Sequence, residues 1–127
     1  MEEKITGILI DPESRAAGTV HIVDNLSELY RLLHCDLIDI VRRRIGGKRY
    51  LIICDDEGLW KEEPKISAID VFGQVMLVGA LLIVNDGADG SLASLGKEDI
   101  NHIMGHIHLQ GTRLHPEGWP MLHQVEY

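Results

Sequence analysis

Arg42, Arg43, Arg44, Lys48 and Arg49 crowd into eight positions that contain no acid. Guanidinium groups grip phosphate and carboxylate through paired N–H donors, so cations gathered at one bend suit a compact anion. That anion would be a phosphate, a nucleotide or an acidic patch on a partner. Tyr50 follows directly, and its ring could stack on a base. The other seven of the 12 Lys and Arg, and all 20 Asp and Glu, lie elsewhere. A cationic bend therefore projects from an anionic body. The bland alternative is a solvated hairpin tip whose charges block edge-to-edge pairing. A P-loop is excluded, because Ile45-Gly46-Gly47-Lys48 lacks both the upstream Gly and a Ser or Thr after the Lys.

Other reactive side chains point less clearly to chemistry. Asp55-Asp56-Glu57-Gly58 and Asn85-Asp86-Gly87-Ala88-Asp89-Gly90 are acidic turns without the ligand spacing of an EF-hand. Asp99, His102 and His106 fall at i, i+3 and i+7, one face of a helix, and such a face can hold zinc. The sequence lacks the glutamate of HExxH, and this face is expected to lie opposite the apolar stripe, exposed to water. His108, His115 and His123 would complete a site only by folding back. Ser27 and Ser94 sit at helix starts, where capping explains them. No nucleophile has an evident base, and the expectation is a protein without catalytic activity, cofactor or bound metal.

The elements that must position these groups are legible from periodicity. Residues 4–10 and 19–23 read as strands, the first ending at Asp11-Pro12. Asn25 should cap a helix, with Glu28 completing a capping box and Leu26, Leu29, Tyr30 and Leu33 forming its apolar stripe up to about His34. Residues 37–54 read as a hairpin about Gly46-Gly47, whose positive φ values suit a type I′ turn. The pairing sets Arg44 opposite Arg49, Arg43 opposite Tyr50 and Arg42 opposite Leu51. Its apolar base should be a central, covered strand pair. A short strand is expected at 66–69, a buried central strand at 75–84, and a second helix from Gly96 with Ile100, Ile103, Met104 and Ile107 inward.

Composition bounds the rest. The 127 residues are 45% hydrophobic and 25% charged, the profile of one soluble globular domain. Net charge −8 argues against duplex DNA, which needs broad positive surface, although it leaves room for a partial DNA mimic. No apolar run is long enough to cross a membrane, and Cys35 and Cys54, in apolar surroundings, read as buried thiols. The expected fold is α+β: one mainly antiparallel sheet of about five strands with two helices on one face. A core over residues 1–108 would carry a C-terminal extension, 109–127. Leu114, Trp119, Met121, Leu122 and Val125 make that extension too apolar for a solvated tail, so it should pack on the core or on another subunit.

Two segments, CDLIDIVRRRIGGKRYLIICDDEGLW and MLVGALLIVNDGADGSLASLGKEDINHIMGHI, carry a resemblance. Together they resemble a family of small domains of unknown function found in phages and mobile elements of Firmicute bacteria. The shared pattern is an ID-IV-IGGK hairpin, an ICDDEGL turn, an LLIVN strand and a closing EDI helix, spanning about residues 4–107. The resemblance implies a phage-borne accessory protein in the bacterial cytoplasm, with no activity to carry over. This chain departs from the pattern in the extra Arg at 42–44 and in Gly96 at the helix cap. Two functions follow as expectations. One is sequestration of a small nucleotide-derived immune signal by Arg42, Arg43, Arg44, Lys48, Arg49 and Tyr50, within a homo-oligomer closed by the tail. The other is inhibition of a host defence protein through the acidic surface.

Overall fold

β-branched runs separated by tight turns build two sheets that share one apolar interface. The computed structural model describes residues 4–35, 37–55, 64–89 and 91–127. In chain order the elements are β1 (Lys4–Asp11), β2 (Ala16–Val23), α1 (Leu26–Leu33), β3 (Ile38–Ile45), β4 (Lys48–Asp55), β5 (Ile66–Ile69), β6 (Val75–Val78), β7 (Leu81–Asp86), β8 (Leu92–Ala93), α2 (Lys97–Met104), β9 (Ile107–Gln110), β10 (Trp119–Leu122) and β11 (Val125–Glu126). The larger sheet has seven strands in the order β11-β3-β4-β7-β1-β2, with β8 paired to β7. The smaller has four, β6-β5-β10-β9. All the pairings are antiparallel except β5 with β10.

Two expectations are corrected here. There is not one sheet of about five strands, because the apolar run 75–84 is two strands rather than one. Gly79 breaks it at φ +83°, a left-handed conformation that side chains resist. β6 joins the small sheet, and β7 becomes the centre of the large one. Nor do the helices share a face. Leu29 and Leu33 of α1 pack with Leu51, Ile53, Leu82 and Val84, whereas Ile103 of α2 packs with Ile52, Leu81 and Ile83. Alternation along β4 and β7 sends these two sets to opposite sides, so the large sheet lies between α1 on one side and α2 with the small sheet on the other.

Several local readings hold. The β3–β4 register matches the sequence pairing residue for residue, about a turn with Gly46 at φ +54° and Gly47 at φ +88°. Asn25 caps α1 by accepting the Glu28 N–H at 2.8 Å, and the helix ends at His34. The Glu28 side chain does not close a capping box; it pairs with Arg31 at 2.6 Å. β4 is central as expected, but β3 is flanked only by the two residues of β11, leaving Ile40 half exposed. Cys54 is buried and Cys35 half-buried, on opposite sides of the sheet. Among the described residues, no helix is long and apolar enough to cross a membrane. The Asp56 to Gly58 part of the acidic turn lies outside the described residues, as does Gly90.

The C-terminal segment is built into the fold through β10 and β11, with Trp119, Met121, Leu122 and Val125 buried. β10 inserts between β5 and β9, and β11 then crosses to the large sheet, pairing Val125 with Ile45. Trp119, 3% exposed, donates its indole N–H to the Ile66 carbonyl at 2.7 Å. The tail thus ties the two sheets together. Leu122 is fully buried where they meet, while Leu114 is 86% exposed. Leu122→Ala should therefore cost about 2–5 kcal/mol in urea denaturation, and Leu114→Ala close to nothing. Equal effects would remove the tail from the core.

Candidate functional site

The cations at the hairpin do not form one cluster. Alternation puts Arg42, Arg44 and Arg49 on the side of Leu51, which is the α1 side, and Arg43, Lys48 and Tyr50 on the side of α2. On the α1 side, Arg42 Nε donates to Asp86 Oδ2 at 2.8 Å. Arg44 Nε donates to the main-chain oxygen of Tyr127 at 3.2 Å. Arg49 has no hydrogen-bond or ion-pair partner among the described residues, and it stands directly opposite Arg44. Two like charges so placed cost a few tenths to about 1 kcal/mol.

On the α2 side the groups are consumed internally. The Arg43 guanidinium lies over the Tyr127 ring, 4.6 Å from its centroid, and donates to the Arg42 carbonyl at 2.8 Å. Tyr50 is 1% exposed, and its hydroxyl donates to Asp99 Oδ1 at 2.9 Å. No ring face is left for a base to stack on, which corrects the expected role of Tyr50. Lys48 Nζ reaches the same oxygen at 3.2 Å.

Asp99 is the hub that sequence reasoning missed. Its other oxygen accepts from Asn85 Nδ2 at 3.0 Å and from the Gly96 N–H at 3.3 Å. Four donors thus surround one carboxylate: two from the hairpin, one from the end of β7, and one from the cap of α2. The Asn85 hydrogen bond, then those of Tyr50, Lys48 and Gly96, hold its pKa down at about 2 against the opposing effect of burial. Burial, with the bonded Asp99 carboxylate, raises the Tyr50 pKa in turn. The signal was present in the sequence as Gly96-x-x-Asp99, an acid positioned to reach back to its own helix start. Lys48, Asn85 and Asp99 also belong to three of the motifs behind the family resemblance: IGGK, LLIVN and EDI.

The histidine face of α2 is likewise turned inward, against expectation. His102 donates Nε2–H to the Ile45 carbonyl at 2.8 Å, and His106 donates Nδ1–H to the His102 carbonyl at 2.8 Å; each nitrogen must carry the proton, since a carbonyl only accepts. The two rings are 4.8 Å apart and press on Gly46, where a β-carbon would collide with His106. Asp99, facing its four donors, is not shared with them. Among the described residues, no three His, Cys, Asp or Glu side chains are arranged to hold a metal ion.

Two cavities are bounded by other residues. One, of about 310 Å³, is bounded by Ile66, Leu114, His115 and Trp119. The other, of about 340 Å³, is bounded by Asp70, His108, His123 and Gln124. None of the six candidate residues lines either.

A family model for a domain of unknown function, DUF3846, matches residues 5–108. The chain belongs to that family. The match spans β1 through α2, including Lys48, Asn85 and Asp99, and stops within β9. No curated protein and no solved structure matches the chain.

A carboxylate with a depressed pKa contributes stability that is fully present above its ordinary value of 3.8 and is lost as pH falls through about 2. That difference corresponds to about 2 kcal/mol. Asp99→Asn should therefore be less stable than the parent by about that amount at pH 7, with the gap closing between pH 4 and pH 2 in urea titrations. A gap independent of pH would deny Asp99 this role.

Proposed function

We propose that this DUF3846 protein is a non-enzymatic binding protein that recognises an anionic group through the Arg44–Arg49 pair on the open face of the β3–β4 hairpin. The observation that carries this reading is that pair: two guanidiniums directly opposite, one bonded only to the Tyr127 main-chain oxygen and the other with no partner among the described residues. A phosphate or carboxylate bridging them would relieve the repulsion and add charge-assisted hydrogen bonds. Arg42, paired with the partly exposed Asp86, can exchange that partner at small cost, since exposed ion pairs are worth about 1 kcal/mol or less.

The setting of the pair favours an anion displayed on a macromolecular partner over an enclosed nucleotide. Small-molecule sites are concave, burying most of the ligand, whereas this pair lies on an exposed strand surface. Tyr50 is buried, and the tail that was to close a pocket is built into the core. In this reading Asp99 and Tyr50 satisfy each other and neither serves as a free base or nucleophile. In this reading the protein acts in the bacterial cytoplasm as an accessory protein of a phage or mobile element, binding an acidic surface of a host defence factor. The second reading, inhibition through the protein's own acidic surface, draws on the net charge of −8.

Capture from bacterial lysate on immobilised protein distinguishes these readings. Arg44→Ala with Arg49→Ala should weaken partner binding at least 10-fold, as expected for loss of one or two charge-assisted contacts, and binding should fall with rising salt. A partner retained at full affinity by the double variant would move the interface to the acidic body. Calorimetry against cyclic dinucleotides and ADP-ribose derivatives should be silent; a micromolar response lost in the double variant would restore the small-ligand reading.

A further inference from the structure

The outer edge of the large sheet is not protected in the usual way. β2 is its last strand on one side, eight residues reading Ala-Ala-Gly-Thr-Val-His-Ile-Val, with no charge, no proline and an unbroken register to β1. Natural edges are normally short, charged or bulged, because an unpaired row of N–H and C=O groups is a template for another strand. The opposite edge, β11, is two residues long and carries Glu126.

Which groups face outward follows from β1. The Thr6 N–H donates to Ser94 Oγ and the Thr6 carbonyl accepts from the Leu95 N–H, so the polar groups of Thr6 point away from β2. Alternation then turns Ile5, Gly7 and Leu9 toward β2, where they pair with Ile22, Val20 and Gly18. The N–H and C=O groups of Ala17, Thr19 and His21 must therefore face outward, and they have no partner among the described residues. Thr19 and His21 are exposed, and a β-carbon at Gly18 would meet nothing within 4 Å.

We propose that β2 pairs antiparallel with β2 of a second copy of this chain, about a two-fold axis at Thr19. Outward residues can hydrogen-bond only with outward residues, which restricts a symmetric pairing to registers that oppose odd-numbered positions. With the axis at Thr19, Ala17 meets His21 of the second copy and Thr19 meets Thr19, giving three bonded pairs and about six hydrogen bonds. On the α1 side, Val20 then faces Gly18 of the second copy and Ile22 faces Ala16, so each large side chain meets a small one. The ends are complementary in charge. Arg15 precedes the strand and Asp24 follows it, so antiparallel pairing brings Arg15 beside Asp24 of the second copy at both ends. Asp24 has no ion-pair partner among the described residues, and Arg15 has only an exposed pair with Glu117. A single sheet then runs through both copies. The axis stands perpendicular to it, so both Arg44–Arg49 pairs face the same way, eight strand spacings apart across the sheet, roughly 38 Å at about 4.8 Å per strand. The pairing itself is independent of what those arginines bind.

Sedimentation equilibrium of the full chain tests the assembly, and amide hydrogen exchange tests the surface. The expected result is a dimer of twice the 14.2 kDa chain mass. In it the amides of Ala17, Thr19 and His21 exchange slowly, becoming fast on dilution, while those of Gly18, Val20 and Ile22 stay slow throughout. Thr19→Pro removes only an outward N–H, so it should give a folded monomer with the Gly18, Val20 and Ile22 amides still protected. Thr19→Lys, which adds a charge to the edge without constraining φ, serves where the proline variant does not fold. A wild-type chain that stays monomeric at about 100 μM overturns the proposal by mass action and leaves a foreign strand as the occupant of this edge. A dimer whose Ala17, Thr19 and His21 amides exchange freely, or which survives both substitutions, overturns it as well.

Discussion

The Asp99 carboxylate holds together elements that are distant in sequence. It accepts hydrogen bonds from Tyr50 and Lys48 on the hairpin, from Asn85 at the end of β7, and from the backbone at the start of α2. A buried or partly buried charge is tolerated only when it is paired and hydrogen-bonded, and here four donors meet the four lone-pair positions of one group. The same arrangement that keeps Asp99 ionised also fixes where α2 begins and how it lies against Ile45 and Gly46. The histidines of α2 are turned inward as a consequence: once the first turn is anchored on the hairpin, His102 and His106 can only lie over its tip.

This anchoring decides the fate of the basic residues. A strand has a period of two, so five cations close together in sequence are divided between two surfaces in the fold. The surface toward α2 is occupied: Lys48 is matched by Asp99, and Arg43 is covered by Tyr127. The surface toward α1 lacks such cover at the hairpin tip, because α1 packs over Leu51 and Ile53 and not over Arg44 and Arg49. What looked like a single anion trap is therefore a pair of exposed arginines with a third alongside. Such a surface meets the charge of a partner better than it encloses a small molecule.

Local features were the most legible. The cap at Asn25, the end of α1 at His34, the strand at 66–69 and every pairing of the β3–β4 hairpin follow from short-range patterns, and all are present. The errors came where two local patterns looked alike. Residues 75–84 form a continuous apolar run that could be one strand or two, and only the left-handed Gly79 divides it. Asp99 reads in the sequence as one member of a possible zinc face, because the relation that places it near Asn85 and Tyr50 is not local. The histidine face reads as solvent-facing because Ile100 and Ile103 mark the opposite side of α2. Hairpin contact on that side leaves no trace in the periodicity of the helix.

By itself the sequence determined the first five strands, the turn at Gly46-Gly47 and the register across it, since these rest on dihedral preferences and neighbours a few residues apart. Tertiary structure alone decided that there are two sheets, that the helices lie on opposite sides of one of them, and that the tail joins both. It also decided which cations are neutralised. Those outcomes depend on which apolar surfaces bury one another and which donors surround a charge. Both are set by contacts between residues distant along the chain, such as Tyr50 with Asp99 and Ile45 with Val125, to which the spacing of neighbouring residues is blind.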